Sequence, residues 1–298
     1  MKIPLFSLGS WAFSFGPFEK EPWSFERFLE YAAKAGYDGV EINGFQPHPH
    51  PDDYRTAAAC AELKARIGGL GLGISGYAPD FRSVPPAEVE PSAYLGALDP
   101  MLTFCERMGI TILRVDTVSP PGKLEPGDYA RRFDNLVKTW LAAASRASER
   151  GVTIVWEFEP GFWLNKPSEV LALVQAVDHP SFRLLFDTSH AHMGAVIGAR
   201  QVGSPELLPD GEAQYAERVR DVIGHVHLID CDGTLHGEET STHSPFGTGN
   251  VDFPSVLTAL APIWDDLTWC CFDFCFCPTT EVDAVKAIPF VRQLLEAQ

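Results

Sequence analysis

An apolar run that closes on an acid and two imidazoles, Leu184-Leu185-Phe186-Asp187-Thr188-Ser189-His190-Ala191-His192, is the stretch of this 298-residue chain best suited to chemistry. Read as a strand covered on both faces, it delivers Asp187 and His190 where the chain leaves the sheet. Taken alone, Asp187 could cap the next helix and His190 could be a satisfied core histidine. The same pattern, an apolar run ending in a metal-ligating side chain, recurs at Glu157, His227 and Asp273. Three carboxylates and one imidazole form a hard, mostly oxygen ligand set. It suits Mn²⁺ first, with Mg²⁺, Co²⁺ or Zn²⁺ as alternatives, and leaves positions open for substrate. The non-ligating nitrogen of His227 is expected to donate to Asp230 or a strand neighbour. His225 shares its face and competes with it, but His227 lies nearer the strand end.

For residues so far apart in sequence to meet, strands must end at one face. The hydrophobic pattern supplies eight such strands, at 3–8, 38–43, 72–77, 111–116, 152–157, 182–187, 224–229 and 267–273. Helical patterns follow at 24–35, 57–67, 94–108, 129–149, 168–177, 252–260 and 281–295. Ser24 is expected to cap the first of these and Asp52 or Asp53 to start the second. Alternating strand and helix predicts an α/β fold, one (β/α)8 TIM barrel over 1–298, with the site at the carboxyl ends of the strands. Residues 194–211 have little periodicity. They read as a long insertion after strand six, a lid or an interface arm.

Several other residues near strand ends are candidates. Glu159 follows Glu157 on the same face. Arg114 and Asp116 share a face at the end of strand four, as a salt bridge or a substrate clamp. The prolines of Pro47-His48-Pro49-His50-Pro51 should hold that loop extended, with His48 a substrate contact or a general base. The aromatics Trp11, Phe13, Phe15 and Phe18 either line a pocket or pack in the barrel.

The formal net charge of −17 argues against nucleic acid as the main partner. No apolar run reaches the ~20 residues of a membrane span, and the amino-terminal stretch lacks a signal-peptide pattern, so a cytoplasmic protein is expected. Seven cysteines in such a chain do not read as a disulfide framework. Four of them cluster in Cys270-Cys271-Phe272-Asp273-Phe274-Cys275-Phe276-Cys277, where same-strand thiols cannot readily wrap a tetrahedral ion.

The runs Trp156-Glu157-Phe158-Glu159-Pro160-Gly161, Phe186-Asp187-Thr188-Ser189-His190 and His225-Val226-His227-Leu228-Ile229-Asp230, with the turn His243-Ser244-Pro245-Phe246-Gly247-Thr248-Gly249-Asn250, resemble the xylose-isomerase-like barrel superfamily of sugar phosphate isomerases and epimerases. The resemblance covers nearly the whole chain. It implies one divalent ion on Glu157, Asp187, His227 and Asp273, with His190 beside it contacting substrate. The family usually has Glu where Asp273 stands. In its epimerases two glutamates exchange a proton across the substrate, a role the shorter Asp273 fills less well than the metal role. Superfamily endonucleases with three zinc ions carry an acid two residues before the turn histidine, and here that position is Ser241.

A narrower resemblance rests on Phe45-Gln46-Pro47-His48-Pro49-His50-Pro51, Phe158-Glu159-Pro160-Gly161-Phe162-Trp163 and the Asp273–Cys277 ending. It points to the catalytic α subunits of C-glycoside deglycosidases, lyases that work with a small β subunit. Both branches imply proton abstraction next to a sugar carbonyl through an enediolate, by Glu159, His190 or His48 as base. The proton returns in isomerisation, or a β-substituent leaves in elimination. Arg114, Asp116, Trp163 and His243 are expected to bind the sugar or glycoside, in an oligomer that could include that second subunit. A scaffold without turnover, the remaining reading, would have lost a ligand.

Overall fold

The computed structural model describes residues 2–120, 127–237 and 239–297. Pro121 and Gly122 of the loop after the fourth strand lie outside them. Strands β1 (Leu5–Gly9), β2 (Gly39–Gly44), β3 (Gly73–Pro79), β4 (Ile112–Val115), β5 (Thr153–Glu157), β6 (Phe182–Asp187), β7 (Ile223–Leu228) and β10 (Trp269–Phe272) close into a parallel barrel, in the order β1-β10-β7-β6-β5-β4-β3-β2. Around it run α1 (Phe25–Ala35), α2 (Ala57–Gly69), α3 (Pro91–Met108), α4 (Asp128–Ser148), α5 (Pro167–Val177), α6 (Thr188–His192), α7 (Gly211–Val219), α8 (Phe253–Leu260) and α9 (Thr280–Glu296). This is a (β/α)8 TIM barrel. Its strands are buried on both faces, which is why they read as apolar runs rather than alternations.

Local signals explain most boundaries. Ser24 Oγ accepts the Arg27 N–H at 3.2 Å and caps α1, a contact worth about 1 kcal/mol, and left-handed Gly36 stops that helix. Thr56, rather than Asp52 or Asp53, caps α2 by accepting the Ala59 N–H at 3.1 Å. Asp52 lies one turn upstream, facing Arg55. Pro91 opens α3, since a proline at the first helical position gives up an N–H that would be unpaired anyway. Between barrel and helices, Trp140 of α4 packs on Trp156 of β5 and on Phe182 of β6.

One segment after β7 departs from expectation. After β7 the chain forms an antiparallel hairpin, β8 (Asp230–His236) and β9 (Thr240–Ser244), outside the barrel sheet. Residues 194–211 open in the π-helical turn Met193–Ile197, loop back, and enter α7 at Gly211. The loop is tied down by Ala199 N–H to Met193 O at 3.0 Å and Leu208 N–H to Ala195 O at 2.9 Å.

The proline-rich loop also differs from its expected shape. His48 N–H bonds back to Phe45 O at 3.0 Å, so the loop turns instead of extending. His48 thereby swings inward, fully buried against Phe25 and Phe28, and not into the cavity above the barrel. Nε2–H donates to Trp23 O at 3.1 Å and Nδ1 accepts from Ser10 Oγ at 2.9 Å. The Ser10 oxygen in turn accepts the Asn43 N–H at 2.8 Å. His48 is therefore a neutral strut, not a base positioned to reach substrate.

Burial lowers its pKa from the usual 6.5 to about 4. A folded pKa below the unfolded one means the unfolded chain binds the proton first. The contribution of His48 is complete above pH 6.5 and declines as pH falls toward 4. Urea unfolding across that range should therefore lose stability less steeply in His48→Gln than in wild type. The difference should approach one proton, about 1.4 kcal/mol per pH unit. Parallel slopes would contradict the neutral-strut assignment.

Candidate metal and active site

The four ligand candidates stand on neighbouring strands. Asp187 pairs with His227 in the β6–β7 register, His227 with Cys271 in β7–β10, and Asp273 N–H reaches Leu228 O at 3.0 Å. One donor atom from each of Glu157, Asp187, His227 and Asp273 lies within 4.8 Å of all the others, and all four residues are buried.

Each of the four is held through one atom and presents another. Glu157 Oε2 pairs with Arg114 Nη1 at 2.6 Å, leaving Oε1. Asp187 Oδ1 caps α6 by accepting the His190 N–H at 2.9 Å, leaving Oδ2. Asp273 Oδ1 accepts the Trp11 indole N–H at 2.6 Å and the Cys275 N–H at 2.8 Å, leaving Oδ2. His227 Nε2 faces both oxygens of Glu41 at 3.3 Å, leaving Nδ1. Glu157 Oε1, Asp187 Oδ2 and His227 Nδ1 are buried without a hydrogen-bond partner, although Glu157 Oε1 and His227 Nδ1 stand 3.0 Å apart. Buried polar atoms are rarely left so. Orphaned acceptors converging on one point fit a divalent cation.

The crowded charges shift these groups in different directions. Burial would raise Glu157, but Arg114 and then His227 outweigh it and hold the carboxyl at about 2. Asp187 has no cation so close. Burial, with the Asp273 and Glu157 charges adding, pushes it up to about 7. Burial opposes charge on His227, yet Glu41 and Glu157 raise it well above the usual imidazole range.

Glu41, which the sequence pattern does not single out, faces the candidate ligand His227. It is fully buried on β2, across the barrel, and it also receives His225 Nε2 at 2.8 Å. His225 is thus a neighbour of Glu41 rather than a rival ligand. Asp230, the expected partner of His227, does something else. Its Oδ2 accepts the N–H groups of Gly247 and Gly249 at 2.9 and 2.8 Å, and its Oδ1 accepts Cys231 and Val251 N–H at 2.8 and 3.1 Å. A Cβ at Gly249 would collide with Asp230 and with the Cys231 carbonyl, so glycine is required there. The only sign of Glu41 in the sequence is an acid amid the buried strand 39–44.

Above the ligands opens a cavity of about 690 Å³. Glu159, His190, Arg114, Asp116 and His243 line it, with Trp11, Phe15, Phe45, Phe81, Phe162 and Phe276 as aromatic walls. Arg114 bridges Glu157 and Asp116, the latter at 3.3 Å, so the expected salt bridge and a place at the cavity wall coexist. Trp163 is absent from the wall. It is fully buried, edge-on to Tyr129 at 5.4 Å, and its neighbour Phe162 faces the cavity instead.

The hairpin supplies the rest of the site. Ser189 Oγ donates to Ser241 Oγ at 2.6 Å, and Ser241 Oγ donates to His190 Nδ1 at 2.7 Å. That chain leaves Nε2–H of His190 as a donor, and burial holds the ring neutral, with its pKa down at about 3. His243, from β9, lies 3.5 Å from Asp273 Oδ1, and both its ring nitrogens lack hydrogen bonds. Burial, with the Glu157 charge, pushes Glu159 up to about 8.

The cysteines contribute no disulfide; all seven are free. The last strand ends at Phe272 and the backbone turns left-handed at Phe276, so Cys271, Cys275 and Cys277 do not continue along one strand face. Cys271 sits near Glu41 and His227, but burial keeps its thiol protonated.

A parallel barrel with three carboxylates and one imidazole converging beneath a polar and aromatic cavity is a TIM barrel with a candidate metal site at the carboxyl ends of its strands. Within that class the chain belongs to the xylose isomerase-like TIM barrel family, whose model matches residues 29–287. It is 22% identical over 259 residues to an inosose dehydratase of Clostridium botulinum (strain Alaska E43 / Type E3), covering 80% of this chain and 78% of that one. Among solved structures it superposes on the D-psicose 3-epimerase of Clostridium cellulolyticum H10, crystallised with D-tagatose, with a TM-score of 0.72, 18% identity and coverage of 98% and 99% of the two chains. A D-psicose 3-epimerase solved in the presence of D-fructose gives a TM-score of 0.75 at 16% identity, covering 98% and 99%. These superpositions establish the shared fold. No helix among the described residues is long and apolar enough to cross a membrane.

Titrating metal-stripped protein with Mn²⁺ in a calorimeter should give about one ion per chain. Asp187→Ala should abolish that binding with the circular dichroism spectrum unchanged. Glu41→Gln should weaken it about 10- to 100-fold, because it removes the carboxylate that orients the ligating imidazole. Undiminished binding in Asp187→Ala would mean the ion sits elsewhere.

Proposed function

We propose that this chain is a divalent-cation-dependent enzyme that abstracts the proton next to a sugar carbonyl, as sugar isomerases and epimerases do. The observation that carries the reading is the convergence of four anchored ligands with Glu159 and His190 on the wall of one cavity. Sugar epimerases among the structural neighbours and an inosose dehydratase among the sequence relatives support it. Glu157, Asp187, His227 and Asp273 would hold the ion, for which Mn²⁺ is the first choice. When bound, it supplies Lewis acidity that makes the proton beside the carbonyl more acidic.

The chain's own groups divide the remaining work. Glu159, held at about 8, can take and return a proton near neutral pH and is the base we assign. His190, neutral and with Nε2–H free, is a donor to a substrate oxygen rather than a base. Arg114 keeps Glu157 ionised, and His243 with Asp116 completes the polar wall.

One observation favours a second reading. Inverting a carbon by proton exchange requires carriers on both faces of the substrate. Asp273 is pinned by Trp11 and Cys275, which suits holding a cation and not shuttling a proton. A site with one free carboxyl base fits isomerisation or elimination better than two-base epimerisation. In a C-glycoside lyase the same abstraction would be followed by formation of a double bond in the sugar and departure of the aryl group with the electrons of the broken C–C bond, its carbon taking up a proton. The six aromatic walls offer that group a seat. A small partner subunit belongs to that second reading.

Mn²⁺-loaded protein in D₂O, given keto-sugars in one series and 3-oxo C-glycosides in another, separates the two. Deuterium in recovered or isomerised sugar supports the first reading, and released aglycone supports elimination. Glu159→Gln should lower kcat at least about 100-fold in whichever series reacts while retaining Mn²⁺ binding. Full activity in that variant would remove Glu159 from its role.

A further inference from the structure

Three arginines line the cavity, and two have charge partners there. Arg82 pairs with Asp80 at 2.7 Å, and Arg114 with Glu157 and Asp116. Arg200 has no ion pair or hydrogen bond among the described residues. It is half-buried, and its backbone is left-handed at φ 54°, a region that disfavours a residue with a Cβ. Glycine would adopt that backbone without strain.

The loop gives Arg200 little freedom to relax. Ala199, its neighbour, donates to Met193 O at 3.0 Å and accepts from Asn165 Nδ2 at 3.3 Å, and Asn165 also reaches the Phe162 carbonyl at 3.2 Å. Gln201, on the other side, donates to Gly194 O at 2.8 Å and accepts the Glu206 N–H at 2.6 Å. A loop tied down on both sides thus holds a strained, uncompensated arginine among the residues that line the cavity, in a chain with net charge −17. Backbone strain of this kind clusters at active sites and ligand clamps.

We infer that Arg200 is a substrate-reading residue, and that the natural substrate of the proposed sugar-binding site carries an anionic group, a carboxylate or a phosphate, which the Arg200 guanidinium receives. A guanidinium matches both oxyanions with paired hydrogen bonds, which a neutral hydroxyl cannot do. The inference rests on the proposed sugar site, so its test reads binding and not turnover.

The Mn²⁺-loaded full chain is titrated with D-glucuronate, D-fructose 6-phosphate and neutral D-fructose, in wild type and in Arg200→Gly. Wild type is expected to bind one of the anionic sugars at least about ten-fold more tightly than D-fructose. Arg200→Gly should lose that preference, keep its affinity for D-fructose, and melt at the same or a higher temperature because the strain is gone. Arg200→Lys should retain part of the preference. Equal binding of all three sugars by wild type, or a preference that survives Arg200→Gly, overturns the inference. So does failure of both anionic sugars to bind. Isomerisation of a neutral keto-sugar in those same samples would then show the proposed reaction standing without it.

Discussion

The structure depends on one constraint: each carboxylate and imidazole at the centre of the barrel is fastened by one atom so that another stays unpaired. Arg114, Trp11, Glu41 and the first turn of α6 do the fastening. Without these contacts, flexible carboxylates would pair with each other's partners and close the gap. Buried acceptors left open are costly, of the order of 1–3 kcal/mol each. They persist because the fasteners cannot be reached by the free atoms and because a cation would satisfy them together.

The fasteners impose demands of their own on the backbone. Trp11 comes from a tight turn directly after β1, and its indole lies over Gly9 so closely that a Cβ there would overlap the ring. Glu41 can reach His227 only because β2 and β7 face each other across the barrel interior. Asp230 gathers four backbone N–H groups and so fixes the glycine turn that follows the hairpin. The site is thus specified from strand positions on nearly every side of the barrel, and the sheet closure is what brings them within reach.

Much of this was legible beforehand, for identifiable reasons. Strands covered on both faces leave long apolar runs, and polar residues that end such runs have nowhere to go but the mouth of the barrel, so Glu157, Asp187, His227 and Asp273 stood out. The first helix announced itself through its cap, Ser24, whereas Pro91, which opens α3 three residues before the expected start, went unread. What stayed hidden depends on three-dimensional pairing. Glu41 lies within a strand, not at its end, and only the barrel interior connects it to His227. His48 and Trp163 sit in loops whose turns decide whether a side chain faces the cavity or the core, and proline spacing did not fix those turns. The β8–β9 hairpin had a signal, alternating Thr240-Ser241-Thr242-His243-Ser244 after Gly237, but its polar strands lack the apolar runs that marked the barrel.

The hairpin sits outside the barrel sheet and contributes none of the four cation-facing atoms, yet it carries Ser241 and His243 to the cavity. On the proposed reading, the four strand-end ligands and the connecting segments that line the cavity are thus separate pieces of the chain. Drift in the hairpin or in the loop that carries Arg200 can change what enters the cavity while the strand ends stay constant. A lineage built this way can diversify its substrates by exchanging connecting segments, with the old centre carried along unaltered.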